Sequence, residues 1–275
     1  EPRQEMKIET SLRDAIDRGA DPLAKAIEPQ ERALMRLVLK YGMLDLGDEF
    51  GTYDDGGHVK VIDYIREDLE VDNIQFRNPL YRRMFQEAMA MRENDWEVDF
   101  ANHVGAAQAR MQELEQSGLE EIKNTAATLA EINMAETKLK ENCREAYESD
   151  IRDFSQLYFE KTFISHPDDD VRRAASDLVV ERHQLSKIYF RQGTKIETEI
   201  DRLDDLVPRA LVALKYYMGR CKFHELTSRI SQVQATPGYD MAEIFSLMEQ
   251  QKKWHDFCTQ LATQIGERVD RKSTR

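Results

Sequence analysis

The chain has few residues that interrupt helices and few that cross-link a fold. Its 275 residues include only 12 Gly, 7 Pro and 3 Cys, while 33% of them are charged. Few helix breakers and a high charge content favour long helices with one solvated face. The cysteines are odd in number and far apart, at Cys143, Cys221 and Cys258. This spacing argues against a zinc knuckle, a redox motif and a secreted disulfide framework.

Positive charges are outnumbered by negative ones. The chain has 39 Lys and Arg against 52 Asp and Glu, which gives a formal net charge of -13. Binding through nucleic-acid phosphates needs a basic face, so we do not expect strong direct nucleic-acid binding. The absence of a signal peptide and of a long apolar run predicts a cytoplasmic protein with no membrane partner. The first residue is Glu1 rather than Met, and we expect a fragment of a larger protein.

Motifs that carry chemistry are missing as well. The sequence contains no Gly-rich phosphate loop, no GxSxG elbow and no HExxH pair. The acidic run Asp168–Asp170 has two interpretations, a magnesium site or the start of a helix, whose positive dipole end attracts carboxylates. We favour the helix start. The sequence therefore predicts no catalytic residue, no cofactor-binding residue and no metal ligand.

The first part of the chain predicts a linker followed by a helix. Residues 1–28 are charged and contain prolines, and within them only Ser11–Arg18 has a helical pattern. From Pro29 an amphipathic pattern begins, and Pro29 suits the first turn of a helix that ends at Gly42. We interpret residues 1–28 as a linker from a preceding domain.

The middle of the chain predicts short elements and then a helical hairpin. Residues 43–62 place the turn Asp54–Gly57 between two apolar stretches, a pattern compatible with a short β-hairpin. A helix is predicted to begin at Pro79. Residues 98–147 are rich in Ala, Glu and Lys, with an apparent break at Ser117–Gly118. Their low aromatic content predicts a projecting pair of helices rather than core.

The last part of the chain predicts three more helices. One begins after Ser165 and extends to about Ile188. Another begins at a break over residues 204–208, because Pro208 disfavours a helical residue before it. After the turn Pro237–Gly238 the final helix begins, and two amphipathic helices joined by so short a turn pack antiparallel. The predicted fold is mainly α: a helical bundle with a possible short β-hairpin, a long helix and a C-terminal antiparallel helical hairpin.

The final helix carries more apolar residues than one hairpin needs. Beside its main stripe it contains a second ridge that includes Leu247, Trp254 and Phe257. A two-helix hairpin does not bury two ridges on a single helix without a further surface. That surface belongs either to the upstream bundle or to a partner protein, and the sequence leaves both open.

Three runs, in this order, carry a family resemblance: VKVIDYIREDLEVDNIQFRNPL, FISHPDDDVRRAASDLVVERHQLSK and DRLDDLVPRALVALK. With the two-helix end that contains Gly266–Arg268, they resemble the C-terminal region of bacterial DnaG-type DNA primases. The likeness is greatest to the longer form of Bacteroides-like bacteria, and it extends from about Glu28 to the end. It is a likeness of segment order and short runs, not of a catalytic motif.

The resemblance implies a docking role. In that family the terminal hairpin binds the N-terminal domains of the hexameric replicative helicase. The bundle stimulates the helicase and can bind the acidic C-terminal tail of single-stranded-DNA-binding protein. The implied division is a linker at 1–28, a bundle at 29–205 with a helical insertion near 104–147, and a helicase-docking hairpin at 206–275.

Candidate contact residues follow from exposed-face reasoning on that hairpin and on the first bundle helix. For the helicase they are Met241, Phe245, Met248, Trp254 and Phe257. For the acidic tail they are Arg32, Arg36 and Lys40, which repeat at i and i+4 on one face but also fit an ordinary solvated stripe.

Two features limit the resemblance. The stretch near 104–147 looks like an insertion, and no counterpart of the family's zinc ribbon or metal-dependent polymerase core is present. The parent enzyme would use zinc and magnesium and synthesise RNA primers, while this chain alone would be inert. The alternative interpretation is an unrelated helical scaffold or adaptor that self-associates through its terminal hairpin.

Overall fold

The computed structural model describes residues 22–53, 56–125, 128–180 and 198–265, and these residues are mainly helical. In chain order the helices are α1 (Pro22–Tyr41), α2 (Val61–Val71), α3 (Pro79–Asn94), α4 (Trp96–Thr125), α5 (Leu129–Ile164), α6 (Asp169–Val179), α7 (Leu203–Gln234) and α8 (Met241–Ile265). Short 3-10 helices lie at Asp48–Phe50 and Ile200–Arg202. The predicted mainly α fold with a C-terminal helical hairpin is confirmed.

Helix α1 begins earlier than the sequence pattern predicted. It starts at Pro22, so Pro29 lies inside the helix rather than in its first turn. An interior proline removes one backbone hydrogen bond, but the helix also buries Ile27, two residues earlier, and that burial is stabilising. The predicted helix start at Pro29 is therefore wrong, and residues 22–28 of the predicted linker are helical. Residues 1–21, with the predicted helix Ser11–Arg18, lie outside the described residues.

The segment between α1 and α2 forms bridges rather than a regular hairpin. Two isolated antiparallel bridges join Asp45 to Lys60 and Thr52 to His58, and none of the described residues forms a regular strand. The Tyr53 backbone N–H donates to the Gly57 carbonyl at 2.7 Å, which closes the turn. Residues 54 and 55 of the predicted turn lie outside the described residues.

The chain divides into two compact units that draw on separate stretches of sequence. One, which we call the hairpin unit, comprises residues 22–34, Asp68–Asn78 and residues 202–265. The other, the bundle unit, comprises the described residues of Met35–Glu67 and Pro79–Asp201. The division predicted from sequence, by contrast, follows chain order.

In the bundle unit, α3, α4, α5 and α6 pack in contact with one another. The start of α6 is fixed by Asp168, whose carboxylate accepts from the backbone N–H of Asp170 at 2.9 Å and of Val171 at 3.4 Å. Arg83 on α3 donates to the same carboxylate at 2.7 Å. The acidic run is thus a helix N-terminus, as predicted. Helix α6 ends at Val179, and the rest of the stretch predicted to reach Ile188 lies outside the described residues.

Helices α4 and α5 form a long antiparallel arm, and its turn lies later than predicted. Gly118 is inside α4, where a Cβ atom would stand 2.7 Å from the Leu139 side chain, so the glycine permits close packing and does not break the helix. The break falls before Thr128, which caps α5 in a capping box with Glu131. At the base of the arm Trp96 stacks on Phe100 and Phe154.

In the hairpin unit α7 and α8 pack antiparallel through a short turn, in which Gly238 adopts a positive φ of 79°. Helix α7 begins at Leu203, so Pro208 lies within it instead of marking a break. The buried Lys215 of α7 pairs with Asp68 at 2.7 Å and with Asp72 at 2.5 Å. Burial lowers the pKa of Lys215, but the hydrogen bonds that its ammonium donates to both carboxylates outweigh burial and leave that pKa raised. Glu31 of α1 accepts from the backbone N–H groups of Arg77 and Asn78.

Candidate docking surface

The free end of the helical hairpin presents a row of large exposed apolar side chains. Tyr239 is 44% exposed, Met241 52%, Phe245 63% and Met248 49%. The last three are spaced i, i+4 and i+7, so they lie on one face of α8. We call these four residues the tip ridge. Neighbouring exposed side chains of this size form the kind of patch that marks an interaction surface.

A neighbouring face of α8 packs against α7, which leaves the tip ridge pointing outward. Ile244 and Leu247 alternate with the ridge residues and are buried, at 4% and 7% exposure. Polar contacts flank them: Arg229 pairs with Glu243 at 3.4 Å, and Gln251 Nε2 donates to Thr227 Oγ1 at 2.7 Å. The way α8 packs on α7 therefore leaves the tip ridge exposed to solvent.

Trp254 and Phe257 face the other way. Both are half-buried, and a Cβ atom on Gly219 of α7 would stand 3.3 Å from Phe257 and 3.5 Å from Trp254. Phe257 packs on a buried cluster of Tyr216, Cys258, Leu261 and Ala262. The second apolar ridge predicted on this helix is therefore largely covered by α7 itself. Of the five predicted helicase contacts, the structure brings Met241, Phe245 and Met248 together and separates Trp254 and Phe257 from them.

The basic residues predicted on α1 lie beside an acid that the sequence pattern did not single out. Arg36 donates to both carboxylate oxygens of Glu199, at 2.9 and 2.7 Å, and Lys40 Nζ lies 3.6 Å from that carboxylate. The Tyr41 hydroxyl donates to it at 2.6 Å. Arg32 belongs to the hairpin unit, so the predicted row of three is divided between the units.

Glu199 is held as an anion in this arrangement. Burial raises the pKa of its carboxyl, but the hydrogen bonds from Arg36 and Tyr41 and the charge of Lys40 outweigh burial, and the pKa is lowered from its ordinary value. The side chain of Glu199 is 42% exposed, whereas that of Lys40 is only 8% exposed. An acid from this chain thus already occupies the place where an acidic ligand would bind Arg36 and Lys40.

Two open grooves lie elsewhere and contain no reactive arrangement. One, of about 740 Å³, follows α7 and is lined by His224, Glu225, Ser228, Arg229, Gln232, Val233 and Thr236. The other, of about 470 Å³, lies between α4 and α5 and is lined by Asp99, Asn102, His103, Phe154, Tyr158, Lys161 and Thr162. In the part of the chain that the structure describes, no three His, Cys, Asp or Glu side chains are grouped to hold a metal ion. None of the described helices is both long and apolar enough to cross a membrane.

One family model matches most of the chain, over residues 19–104 and 125–269. Its description is "Domain of unknown function (DUF8430)". The chain belongs to this family. The two matched segments of the DUF8430 chain leave out residues 105–124, which form the outer part of α4. That gap overlaps the insertion predicted near 104–147. No curated protein and no solved structure matches the DUF8430 chain.

Two site residues were missed by sequence reasoning. Tyr239 was not chosen because it precedes the apolar stripe of α8, although an aromatic residue directly after the Pro237–Gly238 turn was a usable signal. Glu199 lies 163 residues from Arg36. No local pattern links the two, so that contact was accessible only from the fold.

Proposed function

We propose that this DUF8430 chain is a non-catalytic docking module of a DNA primase, and that its tip ridge binds the hexameric replicative helicase. The observation that carries the proposal is the exposure of Met241, Phe245 and Met248 on a helix whose main apolar stripe is buried. The order of segments that resembles the primase C-terminal region supports this choice of partner. The parent enzyme would act at the replication fork in the cytoplasm, with its zinc and magnesium held by other domains.

The mechanism is helix-on-surface docking. An apolar ridge on a preformed helical hairpin inserts between elements of the partner, and the charged residues around it, among them Asp240, Glu243 and Glu249, set register and specificity. Docking several primase copies on one helicase ring raises the local concentration of primase near its template. No bond is made or broken in this step, and this chain supplies affinity rather than chemistry.

The experiment measures binding of the full chain to the hexameric helicase of the same organism, with nucleotide present. We expect the variant Phe245→Ala to weaken binding by about thirtyfold or more, because truncating a central aromatic anchor costs about 2 kcal/mol or more. The matched control is Leu114→Ala, which truncates a side chain of 59% exposure on the arm and should leave affinity unchanged. Equal binding by the wild type and Phe245→Ala contradicts the assignment to the tip ridge.

Self-association is the rival function, because an apolar ridge of this kind also fits a second copy of itself. Sedimentation of the isolated chain measures its oligomeric state and so distinguishes docking from self-association. The docking proposal expects a mainly monomeric species. A stable dimer that Phe245→Asp dissociates, together with no helicase binding, would establish the scaffold instead.

A second partner, the acidic tail of single-stranded-DNA-binding protein, follows from the same resemblance. Arg36 and Lys40 would receive its carboxylates on the bundle, with Arg32 as the third predicted contact. Since Glu199 already pairs with Arg36 and Lys40, the tail would have to displace that side chain.

A further inference from the structure

Two methionines flank Phe245 on the tip ridge, and both are exposed. Met241 lies four residues before Phe245 and is 52% exposed, and Met248 lies three residues after it and is 49% exposed. Helical spacing places both side chains on the face of Phe245. A partner that covers Phe245 therefore also covers both thioether sulfurs.

Six of the other eleven sulfur-containing side chains in the described residues are buried, and four more, Met89, Met91, Met111 and Met218, are half-buried. Met35, Met43 and Met84 are at most 1% exposed. The thiols of Cys143, Cys221 and Cys258 are buried, and burial raises the pKa of Cys258 to about 11, so its reactive thiolate is scarce. Met134 on the arm is exposed too, at 72%, and it lies in the bundle unit, outside the tip ridge.

We propose that Met241 and Met248 are oxidation sites through which peroxide weakens docking. The inference rests on the proposed function, since it concerns the same surface. Hydrogen peroxide transfers one oxygen to the thioether: the O–O bond breaks as the S–O bond forms, sulfur loses two electrons, and the peroxide is reduced to water. A thiol-dependent sulfoxide reductase reverses the change.

The consequence follows from the polarity of the sulfoxide. The unoxidised thioether is soft and apolar and fits an apolar partner surface. The sulfoxide oxygen is a hydrogen-bond acceptor, and its burial against apolar side chains without a donor is unfavourable. We expect oxidation of both residues to weaken docking by about tenfold or more, on the scale of one buried polar group without a partner.

The experiment uses the full chain, treated with hydrogen peroxide and freed of it before mixing with the helicase. Peptide mass spectrometry measures the oxidation of each methionine. We expect Met134, Met241 and Met248 to react well before Met35, Met43 and Met84. Binding to the helicase hexamer should fall with the oxidation of Met241 and Met248 and recover after enzymatic reduction of the sulfoxides.

Variants assign the effect to these two positions. Leu and Gln have helix propensities close to that of Met, so the substitutions preserve α8. The double variant Met241→Leu, Met248→Leu lacks both sulfurs, so its own helicase affinity, measured before treatment, should not change after peroxide. The double variant Met241→Gln, Met248→Gln places a polar group there and should bind as the oxidised chain does. In the control variant Met134→Leu, peroxide should weaken helicase binding as much as it does in the wild type.

The other possible results distinguish a failure of the proposed docking function from a failure of the oxidation proposal. Failure of the untreated chain to bind the helicase overturns the proposed function, and the inference with it. Binding that persists in a chain oxidised at Met241 and Met248 overturns the inference alone. So does an equal loss of affinity in the Leu double variant after peroxide, because another sulfur would then be responsible.

Discussion

Gly219 on α7 lies against Cys258 on α8, and a Cβ atom on the glycine would stand 2.8 Å from the Cys258 Sγ atom. The same sulfur lies 3.8 Å from the Tyr216 carbonyl oxygen. The absent side chain thus lets the two helices approach closely. This contact brings Phe257 and Trp254 onto α7, so the close approach at Gly219 determines which apolar residues of α8 are covered and which are left to the tip ridge.

Substitution of Gly219 by Ala should destabilise the protein. In an open helix Gly→Ala stabilises by about 1 kcal/mol, because Ala has the higher helix propensity. At Gly219 the added methyl group must displace Cys258, and overpacking of this kind costs about 1–3 kcal/mol. Gly105→Ala is the matched control, since a Cβ atom there meets nothing within 4 Å. In equilibrium urea unfolding, the free energy of unfolding should rise for Gly105→Ala and fall for Gly219→Ala. Equal increases in both variants would show that α7 and α8 are not tightly packed at Gly219.

The base of the arm should make the protein sensitive to alkali. Burial raises the pKa of Tyr158, and so does its hydrogen bond to Asp99 at 2.8 Å. A raised folded-state pKa contributes stability that is present below the unfolded value of about 10 and is lost as pH rises toward the folded value. The variant Tyr158→Phe should be less stable at pH 7, by about 1 kcal/mol for one hydrogen bond. Above about pH 10 its free energy of unfolding should fall less steeply than that of the wild type; parallel curves would contradict the assignment.

Much of the fold could be predicted from local sequence patterns, and the wrong predictions of helix boundaries share one cause. The helical class, the arm and the terminal hairpin were predictable because long amphipathic or Ala-rich stretches leave few alternatives. Gly118, Pro29 and Pro208 were each interpreted as boundaries from their intrinsic preferences, and each lies inside a helix. At Gly118 the structure gives a tertiary reason, namely the packing of the Leu139 side chain. No residue by itself reports such a contact.

The candidate site was predictable only in part. Exposed-face reasoning included Met241, Phe245 and Met248 among five candidate contacts, because helix periodicity is local information. It could not distinguish a ridge that a partner covers from a ridge that α7 covers, and Trp254 and Phe257 were therefore grouped with the exposed row. That distinction depends on which residue of α7 faces Trp254 and Phe257, and here that residue is Gly219.

Glu199 should compete with acidic ligands for Arg36. Its carboxylate is bound by Arg36, Tyr41 and Lys40, yet its side chain is 42% exposed and open to displacement. Binding of a peptide with the acidic tail of single-stranded-DNA-binding protein should strengthen severalfold in Glu199→Gln, since the variant removes a competing charge. The charge-reversal variant Arg36→Glu should abolish binding. Tail binding that neither variant alters would place the tail site elsewhere and discard the predicted cluster.

The outer arm should be dispensable for both folding and docking. Helices α4 and α5 pair in antiparallel register, with Asp99 opposite Tyr158 and Gly118 opposite Leu139. Residues 111–146 can therefore be replaced by a short Gly-containing turn without changing the register of the remaining part of the arm. The aromatic contacts of Trp96, Phe100 and Phe154 lie at the base and remain. We expect the shortened chain to unfold at nearly the same temperature and to bind the helicase with the same affinity within about twofold, or less than about 0.4 kcal/mol. The control is the shortened chain carrying Phe245→Ala, which should lose binding as the full-length variant does. Loss of affinity on shortening alone would mean that the arm contacts the partner, and its exposed Leu129 and Met134 would then be the residues to substitute next.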